Sequence, residues 1–149
     1  MSNYIHPITV EAAQEVASNL LPDDRREIEE GWGLDPLLSI LQACQSGSSV
    51  YFTSPSSKTA GMAGINDNGQ IWMLCTPVIF ENRSLFVRQA KRFIKSRKEP
   101  LLWNYVDKRN EVHLKLLKFL GFKFLREVPF GPNQLPFIEF CKLCVHPQS

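Results

Sequence analysis

Residues 102–124, LWNYVDKRNEVHLKLLKFLGFKF, decide how the rest of the chain is read. Leu101, Leu102, Trp103, Tyr105 and Val106 read as a buried strand, which runs into a short polar turn. Val112, Leu116, Leu117 and Leu120 then recur at three- and four-residue spacing and predict one apolar face of an amphipathic helix. Gly121 stops that helix as a residue free to take positive φ, and Phe122 and Phe124 begin a further strand. Strand, Asn110, helix, Gly-Phe is a specific order of events.

Working outward, Pro100 separates this stretch from a preceding helix over residues 82–97. Leu85, Phe86, Ala90, Phe93 and Ile94 face inward on that helix, and Arg88, Lys91, Arg92, Lys95 and Lys98 face out. Upstream lie three strands, over residues 49–53, 59–65 and 70–75, with Asn66-Asp67-Asn68-Gly69 as a hairpin turn. The first 47 residues read as a short strand over 4–9 followed by three helices. Thr9 is the N-cap of the first helix, Pro22-Asp23-Asp24 opens the second, and Asp35-Pro36 opens the third. In the third, Leu37, Leu38, Ile40 and Leu41 are expected to pack inward. Beyond Phe122 a strand to about Val128, a Pro/Gly-rich loop and a last strand over 137–145 complete the chain. The alternation predicts an α+β architecture, a mixed but mainly antiparallel sheet of six or seven strands flanked by helices, in one domain over 1–149.

Composition excludes several classes. Apolar residues make up 44% and charged residues 21%, a globular balance, and no apolar run approaches the ~18 residues of a membrane span. The N-terminal stretch carries Glu11 and Glu15 without the basic–apolar–small order of an export signal, and four cysteines fit a reducing compartment. The net charge of +2 conceals a dipole: residues 1–75 hold three basic against nine acidic side chains, residues 76–149 fourteen against six. Such a chain is expected either to dock on a phosphate-rich or oppositely charged partner, or to wear its charges as solvated helix faces.

The element order, with Val106, Asn110 and Gly121-Phe122 at the usual spacing, resembles the GNAT family of N-acetyltransferases. More closely, Leu102-Trp103-Asn104-Tyr105-Val106 with Asn110, His113, Leu117-Lys118 and Gly121 resembles the small GNAT-like internal virion proteins of short-tailed, T-odd-type bacteriophages. That likeness implies a protein made in the host bacterial cytoplasm, carried in the virion, and bound to other virion proteins.

The resemblance also says where chemistry belongs. GNAT enzymes hold the pyrophosphate of acetyl-CoA on backbone N–H groups between the fourth strand and the next long helix, marked R/Q-x-x-G-x-G/A. Here that loop is Thr76-Pro77-Val78-Ile79-Phe80-Glu81-Asn82-Arg83-Ser84-Leu85 and holds no glycine. Thr76, Asn82, Arg83, Ser84 and Asn110 are the residues left to contact such a cofactor, and acetyl-CoA is expected only if the chain is catalytic. The tyrosine that commonly protonates the departing thiolate falls at Leu117, which has no proton to give. His113 reads as a packed or partly exposed helix residue, and a general base would have to come from Glu30 or Asp35. No catalytic residue is therefore assigned. A non-catalytic virion or virion-assembly protein is the first expectation, and an acyl-CoA-dependent N-acetyltransferase with an atypical loop the alternative.

Three further features carry two readings each. Cys141-Lys142-Leu143-Cys144 with His146 has the spacing of half a zinc site, but strand residues three apart point to opposite faces, so core cysteines are expected and no metal. Arg83 to Lys98, extended by Lys108, Arg109, Lys115 and Lys118, is either a non-specific DNA contact or a solvated face. Trp32, between two glycines, is either a core plug or a partner anchor.

Overall fold

A computed structural model describes residues 3–144. Strand β1 (Ile5–Pro7) leads to α1 (Val10–Ser18), one of whose first-turn amides pairs with Thr9: Ala12 N–H donates to its Oγ1 at 3.1 Å. Helix α2 (Pro22–Arg26) continues without a break into a π-helical segment, Glu27–Trp32, which Gly33 ends in the left-handed conformation. Asp35 caps α3 (Pro36–Ala43) as expected. Leu38, however, is 67% exposed: of the four residues expected inside, only Ile40 is fully buried.

Strands β2 (Ser48–Thr53), β3 (Thr59–Ile65) and β4 (Ile71–Cys75) form an antiparallel sheet with β1, in the order β1-β2-β3-β4. A 3-10 helix (Pro77–Glu81) links β4 to α4 (Arg83–Lys95), whose Leu85, Phe86, Ala90, Phe93 and Ile94 are all buried. Then come β5 (Leu101–Asp107), α5 (Glu111–Phe119), β6 (Lys123–Phe130) and β7 (Leu135–Leu143), with the three strands in the order β5-β7-β6. The last strand thus starts earlier than its sequence suggests, and Val145 and His146 lie outside the described residues.

The sheet is two antiparallel sheets of four and three strands, joined where β4 and β5 run parallel through one bridge, Gln70 to Trp103. One apolar cluster crosses that junction, bringing Phe52, Ala63, Phe86 and Phe93 together with Leu102, Leu117, Phe122 and Phe140. β5 is less buried than its composition suggests. Leu102, Asn104 and Val106 face inward, while Leu101, Trp103 and Tyr105 alternate outward, as period-2 geometry requires. On α5 the buried stripe is His113, Leu116, Leu117 and Leu120, so His113 takes the place expected for the partly exposed Val112.

Candidate functional site between the diverging strands

The site is built where β4 and β5 part. Trp103 N–H donates to Gly69 C=O at 3.1 Å beside the Gln70–Trp103 bridge, the one bridge between the two strands among the described residues. Thr76 N–H turns to Ala60 on β3, so alternation aims the peptide groups of Cys75 and Met73 away from β3, into the gap. Unpaired strand edges inside a protein must find partners. Side chains and the Leu21 amide supply them at Ile71 and Cys75.

At the narrow end Asn104 is the staple. Its Nδ2 donates to Ile71 C=O at 2.7 Å, and its Oδ1 accepts from Tyr105 N–H at 2.7 Å and Gln70 Nε2 at 3.1 Å. At the wide end two carboxylates from the α2–π segment do the same work. Asp24 Oδ2 accepts from Cys75 N–H at 2.9 Å, and its Oδ1 accepts from Asn110 Nδ2 at 2.8 Å. Glu27 Oε1 accepts from Asp107 N–H at 2.8 Å, and Leu21 N–H donates to Cys75 C=O at 2.9 Å. His113 Nδ1 lies 3.4 Å from Asp24 Oδ1. Asp107 in turn pairs with Arg109 at 2.8 Å, and Arg109 reaches Glu30 at 3.0 Å.

Between the staples remains a cavity of ≈ 380 Å³, lined by Glu27, Trp32, Trp72, Tyr105, His113 and Leu117 among others. Burial pushes the Glu27 carboxyl up to about 7; Asp24 and Asp107 add to this and His113 opposes it. Burial pulls the His113 imidazolium down, but its bond to Asp24 and the charges of Asp24 and Glu27 outweigh that and raise it. Asp107 is held low: its burial works against ionisation, but its bonds to Arg109 win. A carboxyl poised near neutrality beside a histidine can exchange a proton with a molecule in the cavity.

Sequence reasoning missed Asp24 and Glu27. It looked to Glu30 and Asp35, but Glu30 is exposed on Arg109, and Asp35 is spent capping α3. The available signal was two i, i+3 polar pairs, Asp24/Glu27 on one helix and Asn110/His113 at the head of the next apolar stripe.

The expected cofactor residues divide. Thr76, Asn82, Arg83 and Ser84 gather at the β4–α4 junction, whereas Asn110 is 1% exposed in the Asp24 cluster, where it also caps α5. At the junction three of the amides are already taken. Val78 N–H goes to Thr76 Oγ1, Ile79 N–H to Thr76 C=O, and Leu85 N–H to Asn82 Oδ1. Ser84 Oγ–H also turns to Asn82 Oδ1, Arg83 lies over the Phe80 ring at 4.8 Å, and Glu81 adds a negative charge paired with Lys58. The Asn82, Arg83 and Ser84 N–H groups remain without partners among the described residues of this junction. With no glycine to bring the backbone close, and the Cys75 peptide held by Asp24 and Leu21, these residues do not fit the pyrophosphate and arm of CoA. Leu117 is 4% exposed in the core and has no proton to donate.

Cys141 and Cys144, expected in the core, are only part-buried, and His146 lies outside the described residues. No group of three His, Cys, Asp or Glu side chains placed to hold a metal occurs among the described residues. Trp32 packs edge-to-face on Phe130 with ring centroids 4.7 Å apart and lines the cavity, closer to the core-plug reading than to a free anchor.

An α+β chain with parallel β4 and β5 splayed beyond a single bridge has the architecture of the GNAT fold, and solved structures bear this out. The chain superposes on a GNAT-family acetyltransferase from Bacillus anthracis with a TM-score of 0.68 and 12% identity, covering 96% of each chain. It matches the spermidine N-acetyltransferase of Vibrio cholerae, solved with CoA and spermine, with a TM-score of 0.65 and 12% identity over 93% of this chain and 94% of that one. The microcin C7 self-immunity acetyltransferase, solved with acetyl-CoA and AMP, gives a TM-score of 0.64 and 12% identity over 96% and 94%. Neither a protein-family profile nor a curated protein sequence matches the chain. The likeness is therefore one of fold: this is a GNAT-fold protein.

Proposed function

We propose that this GNAT-fold chain is a non-catalytic binding protein, an internal virion or virion-assembly protein of a short-tailed bacteriophage that uses the scaffold to hold other virion proteins. One observation carries the non-catalytic part. The chain's own Asp24 and Leu21 occupy the Cys75 peptide, and its own Asn82 takes the Leu85 N–H and the Ser84 hydroxyl at the start of α4, where an acyl-CoA would need open donors. The virion setting rests on the run from Leu102 to Gly121. Exposed Leu38, Phe119 and Leu125 are contacts that a partner would bury.

Titrating acetyl-CoA while following thermal unfolding tests this reading. A ligand at a hundredfold over its Kd adds about 2.7 kcal/mol, which is roughly 5–11 °C in Tm for a chain of this size. No shift at millimolar acetyl-CoA is expected, and a shift of that size overturns the proposal. Mass spectrometry of purified particles of the phage encoding the chain should find it; its absence removes the virion assignment.

A second reading, an acyl-CoA-dependent N-acetyltransferase, is favoured by the cavity with Glu27 poised near 7 and by the acetyltransferase chemistry of the solved neighbours. In it Glu27 takes the proton of an amine acceptor, with acetyl-CoA as the donor. It requires thiol release from acetyl-CoA with an amine such as spermine, and loss of that release in Glu27→Gln.

A further inference from the structure

Helix α4 has an outer face that the site leaves unexplained. From Arg83 to Lys98 the sequence holds seven basic side chains and no acidic one. The buried face of Leu85, Phe86, Gln89, Ala90, Phe93 and Ile94 fixes the helix's rotation. Arg88, Lys91, Arg92 and Lys95, at i, i+3, i+4 and i+7, therefore form one exposed stripe on the other side.

These four differ from seven of the chain's thirteen other cations, and share the lack of a carboxylate partner with the remaining six among the described residues. Lys58, Arg97, Lys108, Arg109 and Arg126 each sit within 3.4 Å of a carboxylate. None of the four stripe residues has an acidic partner among the described residues. Like charges one turn apart repel, so the stripe weakens its own helix unless an anion outside the chain balances it. Lys108 and Arg109, expected from sequence to extend the basic surface, do not: Glu127, Asp107 and Glu30 neutralise them.

The spacing selects the anion. From residue 88 to 95 the helix rises about 10 Å, the length of roughly three base-pair steps along a duplex. α4 exposes no large apolar side chain, so it has nothing to sink into a bilayer and no anchor for a protein pocket. The stripe also lacks an aromatic side chain to stack on exposed bases. We propose that Arg88, Lys91, Arg92 and Lys95 are a docking stripe for the phosphate backbone of duplex DNA, bound without regard to sequence. The stripe does not depend on the cavity or on the fate of acetyl-CoA.

The test is fluorescence anisotropy of the full chain with labelled duplexes of unrelated sequence at rising salt. Four phosphate contacts give a slope of log K against log salt of roughly −3.6, or about a 150-fold loss of affinity between 50 and 200 mM salt. Replacing Arg88, Lys91, Arg92 and Lys95 together by Gln should abolish salt-dependent binding while holding the melting temperature at or above that of the native chain. The single change Lys91→Gln should reduce the slope by about one. A slope shallower than about −1, native affinity in the fourfold variant, a strong preference for one sequence, or tighter binding to anionic lipid vesicles than to DNA each overturns the proposal. Acetyl-CoA binding is read separately, so the failure of either proposal is distinguishable from that of the other.

Discussion

Replacing Asp24 by Ala should destabilise the fold more than most surface or core changes in this chain. Asp24 is 2% exposed, accepts from Cys75 N–H at 2.9 Å and Asn110 Nδ2 at 2.8 Å, and faces His113 Nδ1 at 3.4 Å. Truncation leaves the Cys75 amide with no other partner, at about 1–3 kcal/mol for an orphaned buried donor. The His113 imidazolium loses the carboxylate that raises it, and Asn110 can turn only to Glu27 Oε1, already 3.5 Å away. Together these losses fall at about 3–5 kcal/mol, the range for breaking a buried charged pair. That is a large part of a typical stability of ~5–15 kcal/mol. Urea denaturation of Asp24→Ala, Asn110→Ala and the double variant measures both the loss and the coupling. Once Asp24 is gone Asn110 has less to lose, so the double variant should cost less than the sum of the singles by about 0.5–3 kcal/mol. A loss below about 1 kcal/mol, or additivity within ~0.3 kcal/mol, refutes the idea that Asp24 staples the diverging strands.

Two further outcomes follow from the same structure. Burial raises Glu27 from 4.5 to about 7, so its contribution to stability is fully present below 4.5 and is lost as pH rises through about 7; the raised His113 acts in the same sense. Stability measured by urea melts should therefore fall between pH 5 and pH 8, and Glu27→Gln, which keeps an acceptor for Asp107 N–H, should flatten that fall; an unchanged profile in the variant removes Glu27 as its cause. Gly131 and Gly121 both have positive φ, but a Cβ at 131 would meet the Gly31 carbonyl oxygen at 1.7 Å, whereas one at 121 meets only the mobile end of Lys142 at 2.8 Å. Gly121→Ala should cost about 1–2 kcal/mol from backbone conformation alone, and Gly131→Ala clearly more, by thermal or urea melts; equal costs would contradict the contact argument.

Local signals carried most of the fold. Thr9, Asp35, Asn82 and Asn110 cap the helices they precede, Gly121 ends α5, and the Asn66–Gly69 turn joins β3 to β4, because each acts on backbone groups within a few residues. The inward face of α4 was likewise legible from its 3.6-residue period. Errors arose where burial depends on what lies opposite. Leu38 is apolar but meets solvent, and Trp103 and Tyr105 sit on the outer side of a strand that reads as uniformly buried.

The site divides in the same way. The sequence by itself determined that the β4–α4 junction has no glycine and that Leu117 cannot donate a proton, since both are matters of residue type at a position. It could not place Asp24 and Glu27 against Cys75 and Asp107, which lie about fifty and eighty residues away along the chain. Packing across the gap sets those contacts. The separation of β4 from β5 exposes buried peptide groups, and it takes the packing of the α2–π segment across the gap to bring two carboxylates within hydrogen-bond reach of them. The same packing removes Glu27 from water and lifts its proton affinity to the neutral range, a property that belongs to its surroundings and not to its place in the chain.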